Sequence, residues 1–225
     1  MGNIFKLLML ALVALVPVGT TQAALVFQAT LTNDQETPIT PPPQSSGGVA
    51  TFVLNDAKTR LTYDVQLFGL DMRGINAATG ISTPPNQPFP GEPVGSAARN
   101  DNMTRMHIHS QFFGVAGPIV FGMIDLPTNL ATLNDPNDLV IDIANLHVTG
   151  AWDLNEGAGG QTLATQLNNL LIGGLYINVH TEDFPGGEIR GQILAVPEPD
   201  SLTLLGMAML GLTPAALRRP RIVAA

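Results

Sequence analysis

The 225-residue sequence predicts an all-β domain, a Greek-key-like antiparallel β-sandwich with one short helix, between two apolar targeting segments. About eight segments alternate apolar with polar or small residues, which is the period of half-buried strands. One segment alone has helical leucine spacing. The chain has no Cys, so a hydrophobic core rather than disulfides must stabilise it. A domain of about 170 residues is large enough to build such a core.

The first three predicted strands lie close together near the start of the domain. The turn "DAKT" is short enough to join the second and third as a hairpin. The three segments are "LVFQATLT" (25–32), "GVATFVLN" (48–55) and "RLTYDVQLF" (60–68).

The second half of the chain continues the alternation and adds the helix. In "QTLATQLNNLLIGG" leucines recur at helical spacing, and Gly173-Gly174 ends the segment. Trp152, the single tryptophan, is predicted to lie in the core because its side chain buries a large area. The predicted strands are "TRMHIHS", "PIVFGMIDL", "DLVIDIANLHVTG", "GLYINVHT" and "GEIRGQILA".

Two proline-rich stretches interrupt the strands. The first is "TPITPPPQSSGG", and the second is an insertion of about 30 residues, near 74–103. Proline cannot pair within a central strand, so both are predicted loops. We expect the longer one to be a mobile insertion rather than an ordered binding loop.

The amino end has the features of a signal peptide. Lys6 precedes the apolar run "LLMLALVALVPV", and small residues follow around Ala23. This run is shorter than the roughly 20 residues that span a bilayer. We therefore predict that residues 1–23 form a signal helix that is cleaved after Ala23 during export.

The carboxyl end, residues 196–225, has the features of a sorting signal. Val196-Pro197-Glu198-Pro199 precedes the apolar run Ser201–Leu217, and an arginine-rich tail follows. Positive residues remain cytoplasmic, which leaves the rest of the chain outside the membrane. This layout resembles the PEP-CTERM signal of Gram-negative bacteria. The resemblance implies transient anchoring in the inner membrane by a transmembrane helix, processing by an exosortase-type enzyme, and a final location at the cell surface or in the extracellular medium.

Charge excludes one class of partner. The chain has 10 Lys and Arg against 18 Asp and Glu, a net charge of -8. Such an acidic protein repels the phosphate backbone, so we expect no nucleic-acid partner.

Three of the four histidines fall on two strand-like motifs. Side chains two residues apart on a strand share a face, so His107 and His109 point the same way. In the last two strands the same rule groups Tyr176 and Asn178 with His180. Ile108, Val179, Ile189 and Ile193 then face the core, and their polar neighbours are predicted to point outward.

A hairpin around "EDFPG" that pairs Thr181 with Gly187 would place His180 opposite Glu188 and Asn178 opposite Arg190. The sequence thus predicts one polar cluster, and two interpretations of it remain open. It is either a solvated sheet face with ordinary charged pairs, or a metal site in which three imidazoles bind Zn or Cu. His147 is alone in "NLHVTG" and reads as a strand-end residue. The cluster comprises His107, His109, Asn178, His180, Glu188 and Arg190.

Several blocks of the sequence resemble the successive blocks of a CHRD domain, the module named after chordin. They are "NDQETP", "GVATFVLNDAKTRLTYDVQLFGLD", "MHIHSQFFGVAGPIVFGM" and "LLIGGLYINVHTEDFPGGEIRGQI". The resemblance extends over most of the predicted domain, 24–195, and is interrupted by the proline-rich insertion. It implies a fold and an extracellular location more than an activity.

The order of the three histidines is also similar to that in copper/zinc superoxide dismutases, which are Greek-key sandwiches with a His-x-His strand. The bridging histidine and the zinc-site cluster of that family are not visible, so this resemblance implies a three-histidine mononuclear site and no dismutase activity.

Two functions of different classes follow. The first is a non-enzymatic surface or matrix module that binds an exopolysaccharide or a surface protein. The alternative is a metal-binding protein or metal-dependent oxidoreductase. The sequence contains no nucleophile elbow and requires no organic cofactor.

Overall fold

The computed structural model describes residues 24–38, 46–82, 102–128, 133 and 135–197. The predicted signal peptide, most of the proline-rich insertion, and the sorting signal beyond Pro197 lie outside these residues. Within the described ranges, no helix is long and apolar enough to cross a membrane.

In the described part of the chain, ten strands form two antiparallel sheets, which confirms the predicted all-β sandwich. One sheet has six strands in the order β10-β1-β2-β3-β7-β6, and the other has four in the order β5-β4-β8-β9. The strands are β1 (Leu25–Leu31), β2 (Gly47–Leu54), β3 (Arg60–Phe68), β4 (Met103–Ser110), β5 (Ile119–Ile124), β6 (Val140–Asp142), β7 (His147–Asp153), β8 (Leu175–Thr181), β9 (Ile189–Gln192) and β10 (Leu194–Ala195).

The predicted strand 138–150 is two strands. A turn at 143–146 separates β6 from β7, which pair with each other. Two features explain the break: Leu146 adopts a positive φ of 53°, and the Asn145 backbone and side chain both donate to the Asp142 carboxylate. β7 therefore starts at His147 and continues to Asp153, which places Trp152 inside the sheet.

The last predicted strand also divides, because the chain changes sheets. β9 pairs with β8 in the four-stranded sheet, whereas β10 pairs with β1 in the six-stranded sheet. Ile193 lies between them and is fully buried. This crossing ties the two sheets together at one end of the sandwich.

The helix α1 (Leu163–Leu171) occupies the predicted helical segment. Thr162 caps it, since its hydroxyl accepts from the Thr165 backbone while the Thr165 hydroxyl accepts from the Thr162 backbone. The Asn169 amide donates to the Ser110 hydroxyl at the end of β4. The helix thus lies beside the end of the His-x-His strand.

The main core lies between the sheets and contains the predicted tryptophan. Trp152 has no exposed surface, and its ring stacks on Phe121 of β5 at 4.8 Å between centroids. Tyr63 of β3 meets the same Phe121 edge to face. Trp152 and Tyr63 belong to the six-stranded sheet and Phe121 to the four-stranded sheet, so aromatic contacts join the two layers.

This core contact gives a prediction for stability. Phe121→Ala removes a fully buried ring and should lower the free energy of unfolding by about 3–5 kcal/mol. Phe113→Ala is the matched control: it removes a ring that is 64% exposed and should change stability by less than about 0.5 kcal/mol. Urea unfolding followed by Trp152 fluorescence measures both. Equal effects would show that Phe121 is not a core contact.

Candidate metal centre

Three adjacent strands place the predicted polar residues on one face of the four-stranded sheet. The central row runs across β4, β8 and β9, where His107 lies opposite Asn178 and Asn178 opposite Arg190. The flanking rows pair His109 with Tyr176 and Arg105 with His180. The observed Asn178–Arg190 pair is the one that the predicted hairpin register requires. Asn178 therefore stands at the centre of the face, between the imidazoles and Arg190.

The prediction that this face points to solvent is wrong. His107 has no exposed surface, His109 is 8% exposed and His180 6%. The reason is that loops fold over the face and bond to it. The Arg190 guanidinium donates to the carbonyls of Phe112 and Val115 in the β4–β5 loop. The polar face is thus buried beneath loops, and the interpretation of it as a solvated sheet face is excluded.

Each of the three imidazoles uses one ring nitrogen to bond its surroundings. His109 Nδ1 donates to the Gly117 carbonyl at 2.9 Å, and His180 Nδ1 donates to the Pro185 carbonyl at 3.0 Å. His107 Nε2 lies 2.9 Å from Oδ2 of the buried Asp125. Carbonyl and carboxylate oxygens accept, so the bonded nitrogen carries the hydrogen and the other nitrogen of a neutral ring keeps its lone pair.

The three nitrogens that keep their lone pairs have no hydrogen-bond partner. They are His107 Nδ1, His109 Nε2 and His180 Nε2, and all three are buried. One ring nitrogen of each histidine lies within 4.8 Å of the others. A Zn or Cu ion about 2.0–2.1 Å from each nitrogen requires nitrogens about 3.4 Å apart. Where the nitrogens lie farther apart than this, metal binding requires the rings to move closer together.

Burial also keeps two of the imidazoles, those of His109 and His180, neutral. Desolvation lowers the pKa of His109 to about 4 and that of His180 to about 3. Hydrogen bonds to the carbonyls of Gly117 and Pro185 partly offset this effect on the two pKa values. At neutral pH His109 and His180 are therefore unprotonated, the state that a metal ion needs in its ligands.

An aromatic stack connects the imidazoles to Arg190. The Tyr176 ring lies nearly parallel to His109, with centroids 4.9 Å apart, and the Arg190 guanidinium lies 3.4 Å from the centre of the Tyr176 ring. The Tyr176 hydroxyl accepts from the Gly117 amide, whose carbonyl accepts from His109. The stack thus fixes both the β4–β5 loop and the orientation of one imidazole.

The other predicted residues lie apart from the three nitrogens. Glu188 is fully buried and accepts from the hydroxyls of Ser46 and Thr181. His147 begins β7 in the other sheet and bonds the exposed Asp64 at 2.9 Å. Val196 donates its backbone amide to Val26, while Glu198 and Pro199 lie outside the described residues.

Sequence reasoning missed two buried carboxylates, Asp125 beside His107 and Glu36 beside Asn178. Asp125 directly follows β5, and since β5 pairs with β4, a hairpin drawn across 110–119 would have placed it near His107. Glu36 follows a 3-10 turn (Asn33–Gln35) after β1, far from the histidines in sequence, and nothing in its local pattern indicates its position. It is 5% exposed and accepts from Asn178.

Comparison with known proteins agrees with the fold and the position of these motifs. The family model of the CHRD domain matches residues 27–193. No curated protein matches the chain, and no solved structure matches it either. The match begins within β1, ends just after β9 and includes all three site histidines. The chain therefore belongs to the CHRD domain family.

Proposed function

We propose that this CHRD domain binds one Zn or Cu ion through His107, His109 and His180. Two observations carry the proposal: each of the three histidines has one buried ring nitrogen without a hydrogen-bond partner, and one ring nitrogen of each histidine lies within 4.8 Å of the others. A buried polar atom without a partner is costly, and native proteins rarely keep several in one place without a bound ion or water. A metal ion would satisfy all three at once.

The surroundings of the imidazoles also support a metal. Metal-binding histidines usually donate their second nitrogen to a carboxylate or a carbonyl, which fixes the ring and raises its basicity. All three histidines have such a partner here, namely Asp125, Gly117 and Pro185. In each of these rings one nitrogen is hydrogen-bonded and the other has no partner. A histidine that is buried only for packing is expected to have both nitrogens satisfied.

The ligand number favours an open site. Structural zinc sites use four protein ligands, whereas sites that react or exchange ligands use three and leave one position free. Among the residues that the structure describes, the group of close ligand atoms contains only these three histidines. The proposed centre is thus a metal-binding module with one exchangeable position, and neither a catalytic role nor dismutase activity is part of the proposal.

We further propose that the protein is exported and then processed at its carboxyl end. The support is the order of features in the sequence: a charged and apolar amino end, the Val196-Pro197-Glu198-Pro199 motif, the apolar run and the arginine tail. The chain contains no Cys, so its function does not depend on a reduced thiol. This composition is compatible with a location outside the cytoplasm.

The metal proposal predicts the stoichiometry. Purified protein loaded with Zn or Cu and then desalted should hold about one ion per chain, because three imidazoles form a single site. His180→Ala should reduce this to near zero. His147→Ala removes the fourth histidine, which bonds Asp64 on the other sheet, and should leave the stoichiometry unchanged. Elemental mass spectrometry measures all three proteins, and equal losses in both variants would contradict the site.

The carboxylate behind His107 gives a second prediction. Asp125→Asn weakens the acceptor that orients the ring, so metal affinity should fall about 10–100-fold with the site still able to fill. Asp64→Asn is matched in chemistry, since Asp64 bonds His147 at the same 2.9 Å, and should leave affinity unchanged. Competition titration with a chelator measures affinity, and circular dichroism checks that both variants fold. An unchanged affinity in Asp125→Asn would count against the site.

Export with processing at both ends predicts the mass of the mature protein. Mass spectrometry of native material should show a chain that starts near Ala24 and lacks the segment after Val196-Pro197-Glu198-Pro199. A mature surface protein that retains the run Ser201–Leu217 would contradict the sorting proposal.

A further inference from the structure

One part of the surface exposes a group of large apolar side chains. Counting only the ranges that the structure describes, ten large apolar side chains are exposed, and seven of them fall in three short segments. The segments are the β4–β5 loop, the carboxyl end of α1, and the stretch that begins with β10. We call these seven side chains the apolar patch. They are Phe112, Phe113, Val115, Leu171, Ile172, Leu194 and Val196.

Side-chain contacts bring the three segments of the apolar patch together. The Gln192 amide donates both to the carbonyl of Gln111 in the β4–β5 loop and to the carbonyl of Gly173 just after the helix. Gly173 in turn lies against β10, since a Cβ atom there would be 3.0 Å from Leu194 Cδ2. The loop, the helix end and β10 are therefore neighbours on one surface.

A groove connects the apolar patch to the carboxyl end of the domain. Phe113 lines this groove together with Leu194, Val196 and Pro197. Pro197 is the last residue of the described ranges, and the proposed sorting signal continues from it. The patch thus extends to the point where the chain leaves the domain.

The backbone of the β4–β5 loop is fixed, although its apolar side chains are exposed. The Arg190 guanidinium donates to the carbonyls of Phe112 and Val115, and the Tyr176 hydroxyl accepts from the Gly117 amide. The side chains of Phe112 and Val115 are nevertheless 51% and 48% exposed. The loop therefore presents apolar side chains outward from a fixed backbone. A contiguous exposed apolar patch of this kind marks a contact surface.

The segments of the apolar patch contain no charged residue. Residues 111–118, 171–175 and 192–197 lack Asp, Glu, Lys and Arg, although the whole chain has 28 of them, 18 acidic and 10 basic. The side chains that line the groove are uncharged as well. Burial of this surface in an apolar environment therefore desolvates no charge. Phenylalanine and aliphatic side chains on an uncharged surface suit the boundary between lipid headgroups and acyl chains.

The length of the connecting chain places the apolar patch near a membrane. The apolar run of the sorting signal begins at Ser201, four residues after Pro197. Four residues span at most about 14 Å even when fully extended. A run that enters the hydrocarbon at Ser201 therefore keeps Pro197, and the groove that it lines, within about 14 Å of the hydrocarbon.

We propose that the apolar patch contacts the lipid surface of the membrane that holds the run Ser201–Leu217 before processing. This inference rests on the proposed sorting signal and adds a second contact between the protein and the same bilayer. Lipid is the occupant because the short connection keeps the patch at the bilayer surface whenever the run is inserted, and because the patch has no charge to desolvate there.

Quenching by spin-labelled lipid tests the proposal, because a chain without Cys can be labelled at single introduced cysteines. The precursor, purified with the run Ser201–Leu217 attached, is reconstituted into phosphatidylcholine vesicles that contain doxyl-labelled lipid. A fluorescent dye on Phe113→Cys should be quenched about threefold or more strongly than the same dye on Val140→Cys. These positions are matched, since Phe113 is 64% and Val140 63% exposed, and β6 and β10 are opposite edges of the six-stranded sheet.

A third labelled position separates the possible failures. A dye on Leu210→Cys, within the apolar run, reports whether the run is inserted. Absence of quenching at 210 overturns the anchoring and this inference together. Quenching at 210 with equally weak quenching at 113 and 140 overturns the lipid contact alone. A dye at 113 that is shielded from both the labelled lipid and aqueous iodide would show that a second copy covers the patch, which also overturns lipid as its occupant.

A polar substitution tests whether the apolar side chains themselves make the contact. Phe113→Ser should reduce the quenching of a dye on Val115→Cys about twofold or more, because a hydroxyl replaces a ring that would penetrate the headgroup boundary. Val140→Ser, at the matched exposed position, should leave this quenching unchanged. Equal quenching in the two variants would mean that the connection to Ser201 alone brings the loop near lipid, and would overturn the role of the patch.

Discussion

The four-stranded sheet is buried on both faces, and this constraint shapes the rest of the molecule. Its apolar face packs on the six-stranded sheet through Ile108, Ile177 and Val179, which have no exposed surface. The opposite face carries the polar residues, and loops cover it. A buried polar face stabilises the fold only if each donor and acceptor finds a partner. The partnerless nitrogens of His107, His109 and His180 are therefore the feature that most needs a bound ion.

The hydrogen bonds that hold two loops against the sheet also orient two of the imidazole rings. The Gly117 carbonyl holds the β4–β5 loop near the sheet by accepting from His109, and the Pro185 carbonyl does the same for the β8–β9 loop through His180. Each bond assigns the hydrogen to Nδ1 and leaves Nε2 free. Folding thus orients the lone pairs of these two rings through bonds that also hold the loops, and metal binding and loop packing should stabilise each other.

The sequence predicted the strands and the Asn178–Arg190 register because alternation is a local signal, and burial of one face fixes the register. It did not predict that the polar face is covered. Burial there depends on remote segments, since Arg190 bonds Phe112 and Val115 across the fold and Glu36 reaches Asn178 from the turn after β1. Period-two patterning identifies two faces of a strand and cannot distinguish solvent from a covering loop. Asp125 was missed for a related reason: its position follows from the β4–β5 pairing, which a single strand does not reveal.

Anomalous X-ray diffraction from crystals grown with Zn or Cu tests the central claim most directly. The account predicts one anomalous peak about 2.0–2.2 Å from His107 Nδ1, His109 Nε2 and His180 Nε2. A peak bound through the opposite nitrogen of any of these rings would contradict the tautomers that the Gly117, Pro185 and Asp125 hydrogen bonds impose. A polar face that stays free of metal in those crystals would contradict the site itself.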